Sequence, residues 1–124
     1  MHIDDSALHR LEQSLLIQKQ TMRDPVHFLI CDREFHLTIY RSCGNPLLAD
    51  FVTDLYTFML DHRRTAVSQP GAIEKSYLDH VAIFNALNAH DPNAATDAIG
   101  RHIDRIYATT VEILADEPKA KRTA

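Results

Sequence analysis

Nowhere does the chain hold an apolar run approaching the roughly 20 residues that a membrane-spanning helix needs, and no signal-peptide pattern opens it. Those absences make a cytoplasmic protein with no membrane partner the expectation. Positive charge is not in excess either: 13 Lys and Arg stand against 17 Asp and Glu, a formal net charge of −4. A basic footprint for nucleic acid or an anionic membrane is therefore missing, so the chain does not grip DNA by itself. Cysteine is scarce. Cys31 and Cys43 share one helical stretch, which sets them about 18 Å apart, far beyond disulfide reach. An alternating strand pattern, a low-complexity block and an internal repeat are also lacking. What remains is an all-α reading: 124 residues, 45% hydrophobic and 24% charged, enough for one domain with one core.

Helical periodicity and its punctuation divide the chain. Residues 4–22 form a first amphipathic helix with Leu8, Leu11, Leu15 and Met22 on one face, capped by Asp4, Asp5 or Ser6. Asp24-Pro25 ends it and starts a second helix, which stops at Gly44. Gly44-Asn45-Pro46 is a stop-and-restart signal, with Gly44 in the left-handed C′ position. A third helix is predicted over 46–67, its inner face carrying Leu48, Phe51, Val52, Leu55, Phe58 and Met59. After a turn at 68–71, a fourth helix spans 72–89 and a fifth 93–115. The charged tail 116–124, with Pro118, is expected to fray, leaving 1–115 as the folded domain. The expected architecture is an antiparallel bundle of about five helices with short loops.

Ionisable side chains on the inner faces are the unusual feature. Asp32 and His36 lie four residues apart, one turn along a single helix face. They sit mid-arc among Phe28, Leu29, Phe35, Ile39, Tyr40 and Cys43, with His27, Glu34, Thr38 and Arg41 opposite. A buried carboxylate needs a pairing group or a metal. His80 lies near the centre of the arc Ile73, Tyr77, Ile83, Phe84 and Leu87; His102 lies within Ala95, Ala98, Ile99, Ile106 and Ile113. A lone inward histidine is usually a satisfied core residue, but three helices each supplying one, with a carboxylate, suit a divalent transition metal. His62 falls on the apolar side of the third helix and is as eligible as His80 or His102; the wheels do not separate them. His90 sits at a helix end as a cap or dipole-favoured charge, and His2, His9 and His27 face solvent.

Asp32-Arg33-Glu34-Phe35-His36 and Ser42-Cys43-Gly44-Asn45-Pro46-Leu47-Leu48 resemble the D-x-x-F-H and S-G-N-P-L-L pattern of the FCD domain. That is the C-terminal ligand-binding domain of the FadR subfamily of GntR transcription regulators. Asp79-His80 with Ile83, Ala86-Leu87 and Asp91 is similar to its D/E-H-x-x-I-x-x-A-L-x-x-x-D segment, and Ala94-Ala95 with Arg101-His102-Ile103 to its closing stretch. The resemblance covers nearly the whole chain. It implies a bundle of six or seven helices around a metal held by Asp32, His36, His80 and His102. It moves His62 to packing or to outer support of that site. Zinc, with nickel or manganese as alternatives, is the implied ion. A small carboxylate is the implied effector, changing the affinity of a linked winged-helix domain for operator DNA.

Two departures accompany the resemblance. Against the family pattern, the sequence is expected to lack the winged-helix domain ahead of Met1 and the first one or two bundle helices, so DNA regulation is expected of a parent protein. Apolar surface left by the shortened bundle makes a homodimer the expected assembly. Arg33 and Arg63, at the edges of their arcs, are the candidate effector contacts, since a guanidinium fork matches a carboxylate; the simpler reading makes them solvated surface arginines. The rivals are a metal-dependent small-molecule enzyme and a metal-free helical dimerisation module. The enzyme lacks a general base, because Glu34 lies opposite Asp32 and His36. A di-iron bundle lacks its paired Glu-x-x-His motifs.

Overall fold

A computed structural model describes residues 3–42, 44, 46–58 and 60–123. Among them the fold is all-α, an antiparallel bundle of six helical segments. They are α1 (Asp5–Gln20), α2 (Pro25–Ser42), α3 (Pro46–Phe58), α4 (Leu60–Val67), α5 (Ala72–Asn88) and α6 (Pro92–Thr123). The expected single helix over 46–67 corresponds to α3 and α4, on either side of residue 59. Expectations that fall on His2, Cys43, Asn45 and Met59, and on the side chains of Leu48, Val52, Leu55, Phe58 and Ile113, lie outside the described residues.

The helix starts follow from local chemistry. Asp4 caps α1, its carboxylate accepting from the Ala7 amide at 2.8 Å. Asp24 does the same for the His27 amide at 3.2 Å, and Asp91 for the Ala94 amide at 3.1 Å. Each of these two is followed by a proline at the first helical position, where no N–H is needed. Gly44 has φ 73°, the left-handed conformation its place after α2 requires.

α6 is longer than the periodicity predicts. Its backbone stays helical past residue 115 to Thr123. Lys119, Ala120, Lys121 and Arg122 are good helix formers by residue type. Pro118 removes one backbone donor from that stretch.

α5 packs on α6, and α1 lies against both α2 and α5. α4 bridges α2 and α6, while α3 leans on α2. One core joins Leu8, Leu11 and Leu15 of α1 to Phe35, Ile39, Ile83 and Leu87, and to Ala95 and Ala98 of α6. A second, smaller core holds Phe28, Leu29, Val67 and Ile73, with Met22 packed on it. Asp32 lies between Phe28 and Phe35 on α2, so the two apolar regions flank a polar layer. No described helix is long and apolar enough to cross a membrane.

Candidate metal centre

α2 supplies Asp32 and His36, α5 supplies His80, and α6 supplies His102. One donor atom from each lies within 4.8 Å of all the others. Asp32 Oδ1 is 3.1 Å from His80 Nε2 and 3.3 Å from His36 Nε2. His36 Nε2 and His102 Nε2 are 3.2 Å apart. For an ion bonded at about 2.0–2.1 Å in tetrahedral geometry, neighbouring donors stand about 3.3 Å apart. These three separations match that edge. Asp32 and His80 are fully buried, His102 is 1% exposed, and the His36 side chain only 11%.

The rings are aimed by groups behind them. His102 Nδ1 lies 3.0 Å from Asp79 Oδ2, an acceptor, so the proton sits on Nδ1 and Nε2 keeps its lone pair. His80 Nδ1 lies 2.6 Å from Gln18 Oε1, with the same result. His80 Nε2 then has no hydrogen-bond partner among the described residues, although it is buried. A nitrogen lone pair facing a carboxylate oxygen at 3.1 Å is an arrangement that a cation relieves. Four donors and a buried lone pair aimed at one point could coordinate a metal.

Phenylalanines wall the layer. The His80 ring stacks on Phe35 at 4.6 Å between centroids and runs parallel to Phe28 at 6.2 Å. His36 stacks on His102 at 5.1 Å. Such packing prevents the imidazoles from turning away.

The surroundings keep the Asp32 carboxylate ionised and disfavour protonation of His80 and His102. Burial pushes the Asp32 carboxyl up, but the neighbouring His36 and His80 rings and the Arg63 guanidinium together hold it well below the usual range. Arg63, 9% exposed, donates to Asp32 Oδ2 at 3.2 Å. Burial lowers His80, with Asp32 opposing. Burial, then the repulsion that a second positive charge beside His36 or His80 would meet, brings His102 down to about 4. Neutral imidazole is the form that binds metal.

Beside this layer opens a cavity of about 430 Å³, lined by Arg63, Lys75, Ser76, His102, Arg105 and Glu112 among others. Three cations face one carboxylate there. Arg105 also pairs with Asp79 Oδ1 at 3.3 Å, so the cavity wall touches the group that orients His102.

The structure therefore brings together Asp32, His36, His80 and His102. His62 is half-buried and stands outside that group. Arg63 turns inward. Arg33 bonds Glu34 at 3.1 Å and lines a separate, mostly apolar groove with Val26, Leu29, Ile30, Leu60 and Arg64. His9 and His27 are exposed, and Asp24 lies against His27. Cys31 is half-buried, and burial followed by the charge of Asp32 pushes its thiol up, which makes it a poor nucleophile. Sequence reasoning missed Gln18 and the orienting part of Asp79. Gln18 had a signal: it continues the Leu8, Leu11, Leu15 stripe at helical spacing.

The profile of the FCD domain matches residues 1–105. Among curated proteins, the chain is similar to the HTH-type transcriptional repressor NanR of Edwardsiella tarda (strain FL6-60). Identity is 32% over 111 residues, covering 87% of this chain and 42% of the repressor. NanR of Cronobacter sakazakii (strain ATCC BAA-894) is 31% identical over 121 residues, 95% of this chain and 46% of that protein. For NanR of Escherichia coli (strain K12) the identity is 29% over 112 residues, 87% and 42% respectively. The chain spans less than half the length of these relatives.

Proposed function

The chain belongs to the FCD domain family, and from that premise we propose that it senses a small carboxylate beside a divalent metal. As an effector-binding domain of a GntR/FadR-type regulator, it stands with regulatory rather than catalytic proteins. Asp32, His36, His80 and His102 hold the ion. Zinc heads the candidates for a nitrogen-rich, buried four-donor set; nickel and manganese accept the same donors. A bound dication supplies a fixed positive charge toward which an anion is drawn.

The remaining work falls to the protein. Arg63 reaches both Asp32 and the cavity, and so can exchange part of its bond to Asp32 for an effector carboxylate. Lys75 and Arg105 add positive charge at the same cavity, which favours anions over neutral ligands. Arg33, on its separate groove, takes no part in this reading. An effector acts on operator DNA through a winged-helix domain of the whole protein, and only by favouring one bundle arrangement over another. A homodimer in the cytoplasm completes the proposal; sedimentation should give twice the chain mass.

The observation that carries the reading is the convergence of four donors from three helices next to a cationic cavity. Elemental analysis of protein purified without added metal should find one transition ion per chain. Chelator should then lower the melting temperature, and His80→Ala or His102→Ala should lower metal content. No stoichiometric ion, with a melting curve indifferent to chelator, sinks the proposal and leaves a metal-free helical module.

A further inference from the structure

α1 contributes none of the four donors, yet it sends a side chain to the site. We propose that Ser14 and Gln18 form a positioning relay that fixes the tautomer of His80 and so aims its Nε2 lone pair at the shared point.

Gln18 is fully buried on a stripe otherwise made of Leu8, Leu11 and Leu15. A primary amide in that setting must have both ends bonded, since its N–H₂ only donates and its oxygen only accepts. Ser14, one turn back, accepts from Gln18 Nε2 at 3.1 Å. With its nitrogen engaged there, the amide presents Oε1 to His80 Nδ1 at 2.6 Å. An oxygen acceptor demands a hydrogen on Nδ1. A neutral imidazole has one such hydrogen, so Nε2 is left bare.

The other tautomer has a partner waiting. With its hydrogen on Nε2, His80 would donate to Asp32 Oδ1, 3.1 Å away. A proton would then occupy the line between two of the four donors. Gln18 decides against that arrangement. Phe35, stacked on the imidazole at 4.6 Å, keeps the ring from rotating out of the competition. Asp79 does the corresponding work for His102 with a charged acceptor, whereas the acceptor behind His80 is neutral. The two imidazoles are thus backed by groups of different strength, and α1 is tied energetically to a site it does not ligate.

This inference rests on the metal reading for its purpose but not for its test. Long-range ¹H–¹⁵N spectra of metal-free, ¹⁵N-labelled protein report the His80 tautomer directly. Wild type should carry the hydrogen on Nδ1, and Gln18→Leu should move it to Nε2. Gln18→Glu, which keeps an acceptor in place, should restore the wild-type signature. Zinc titration should show binding about 10- to 100-fold weaker for Gln18→Leu and recovered in Gln18→Glu. Should Gln18→Leu fail to fold, Ser14→Ala frees the amide to flip and should give a mixture of tautomers. A wild-type His80 protonated on Nε2 overturns the relay, as does a Gln18→Leu protein with unchanged tautomer and zinc affinity. If wild type takes no zinc, the metal reading fails while the tautomer still decides the relay.

Discussion

At the scale of single residues, two of the site's imidazoles, those of His80 and His102, are kept from protonating. His102 falls to about 4, and His80 is lowered too, chiefly because burial disfavours the charged ring. Between the ordinary histidine value of about 6.5 and that lower value, the unfolded chain binds a proton that folded His102 refuses. The sign is therefore fixed: stability of the metal-free protein is full above the upper value and is lost as pH falls through the window. Asp32, held low, adds stability that disappears only at more acid pH. Melting curves in chelator from pH 7.5 to 4 should slide steadily downward; a flat profile over that range would contradict the burial of these rings. Asp32 and His36 could be read from the sequence because a four-residue spacing on one helix is local. His80 and His102 were legible as inward-facing, but a wheel gives a direction and not a depth along the bundle. His62 passed the same test and lies outside the cluster, while its neighbour Arg63 enters it. Gln18 shows in the sequence only as an inward position, and its role stays hidden because its partner His80 is 62 residues away.

Among the elements, helix ends were the most readable part of the chain. Pro25, Pro46 and Pro92 each open a helix, and Asp24 and Asp91 cap two of them. The end of α5 follows a rule that its residue type does not advertise. The His90 amide reaches the Leu87 carbonyl at 3.0 Å and the Asp91 amide reaches Ala86 at 3.1 Å, a Schellman closure with His90 at φ 53°. The sequence offers His90 as a cap or a dipole-favoured charge, and the structure uses it as a cap, through its backbone. A side chain in that conformation carries strain that glycine lacks, offset in part by the greater freedom of glycine when unfolded. His90→Gly should stabilise the fold by about 0.5–1 kcal/mol, read as a higher urea midpoint with unchanged slope. A lower midpoint would mean that the imidazole contributes more than its backbone costs. The end of α6 was not legible, since a proline and clustered charge argue for a stop while the surrounding propensities argue against one.

The molecule as a whole divides into a larger and a smaller apolar region with the polar layer between them. Its outer surface is less tidy. Val26, Ile30 and Leu60 flank one groove, and Leu47 and Phe51 on α3 are exposed, at 79% and 63%. Exposed apolar area of this kind is what a second copy would cover, in keeping with the proposed dimer. The exposed turn at 68–71 has a different consequence. Asp32 and His36 precede it; His80 and His102 follow. A protease nick at that spot would share the four donors equally between two peptides, neither of which holds a complete set. Zinc should then behave as a rivet, keeping the severed halves together on a sizing column, and chelator should let them part. Halves that separate with zinc present would show that helix packing, not the ion, is the stronger tie.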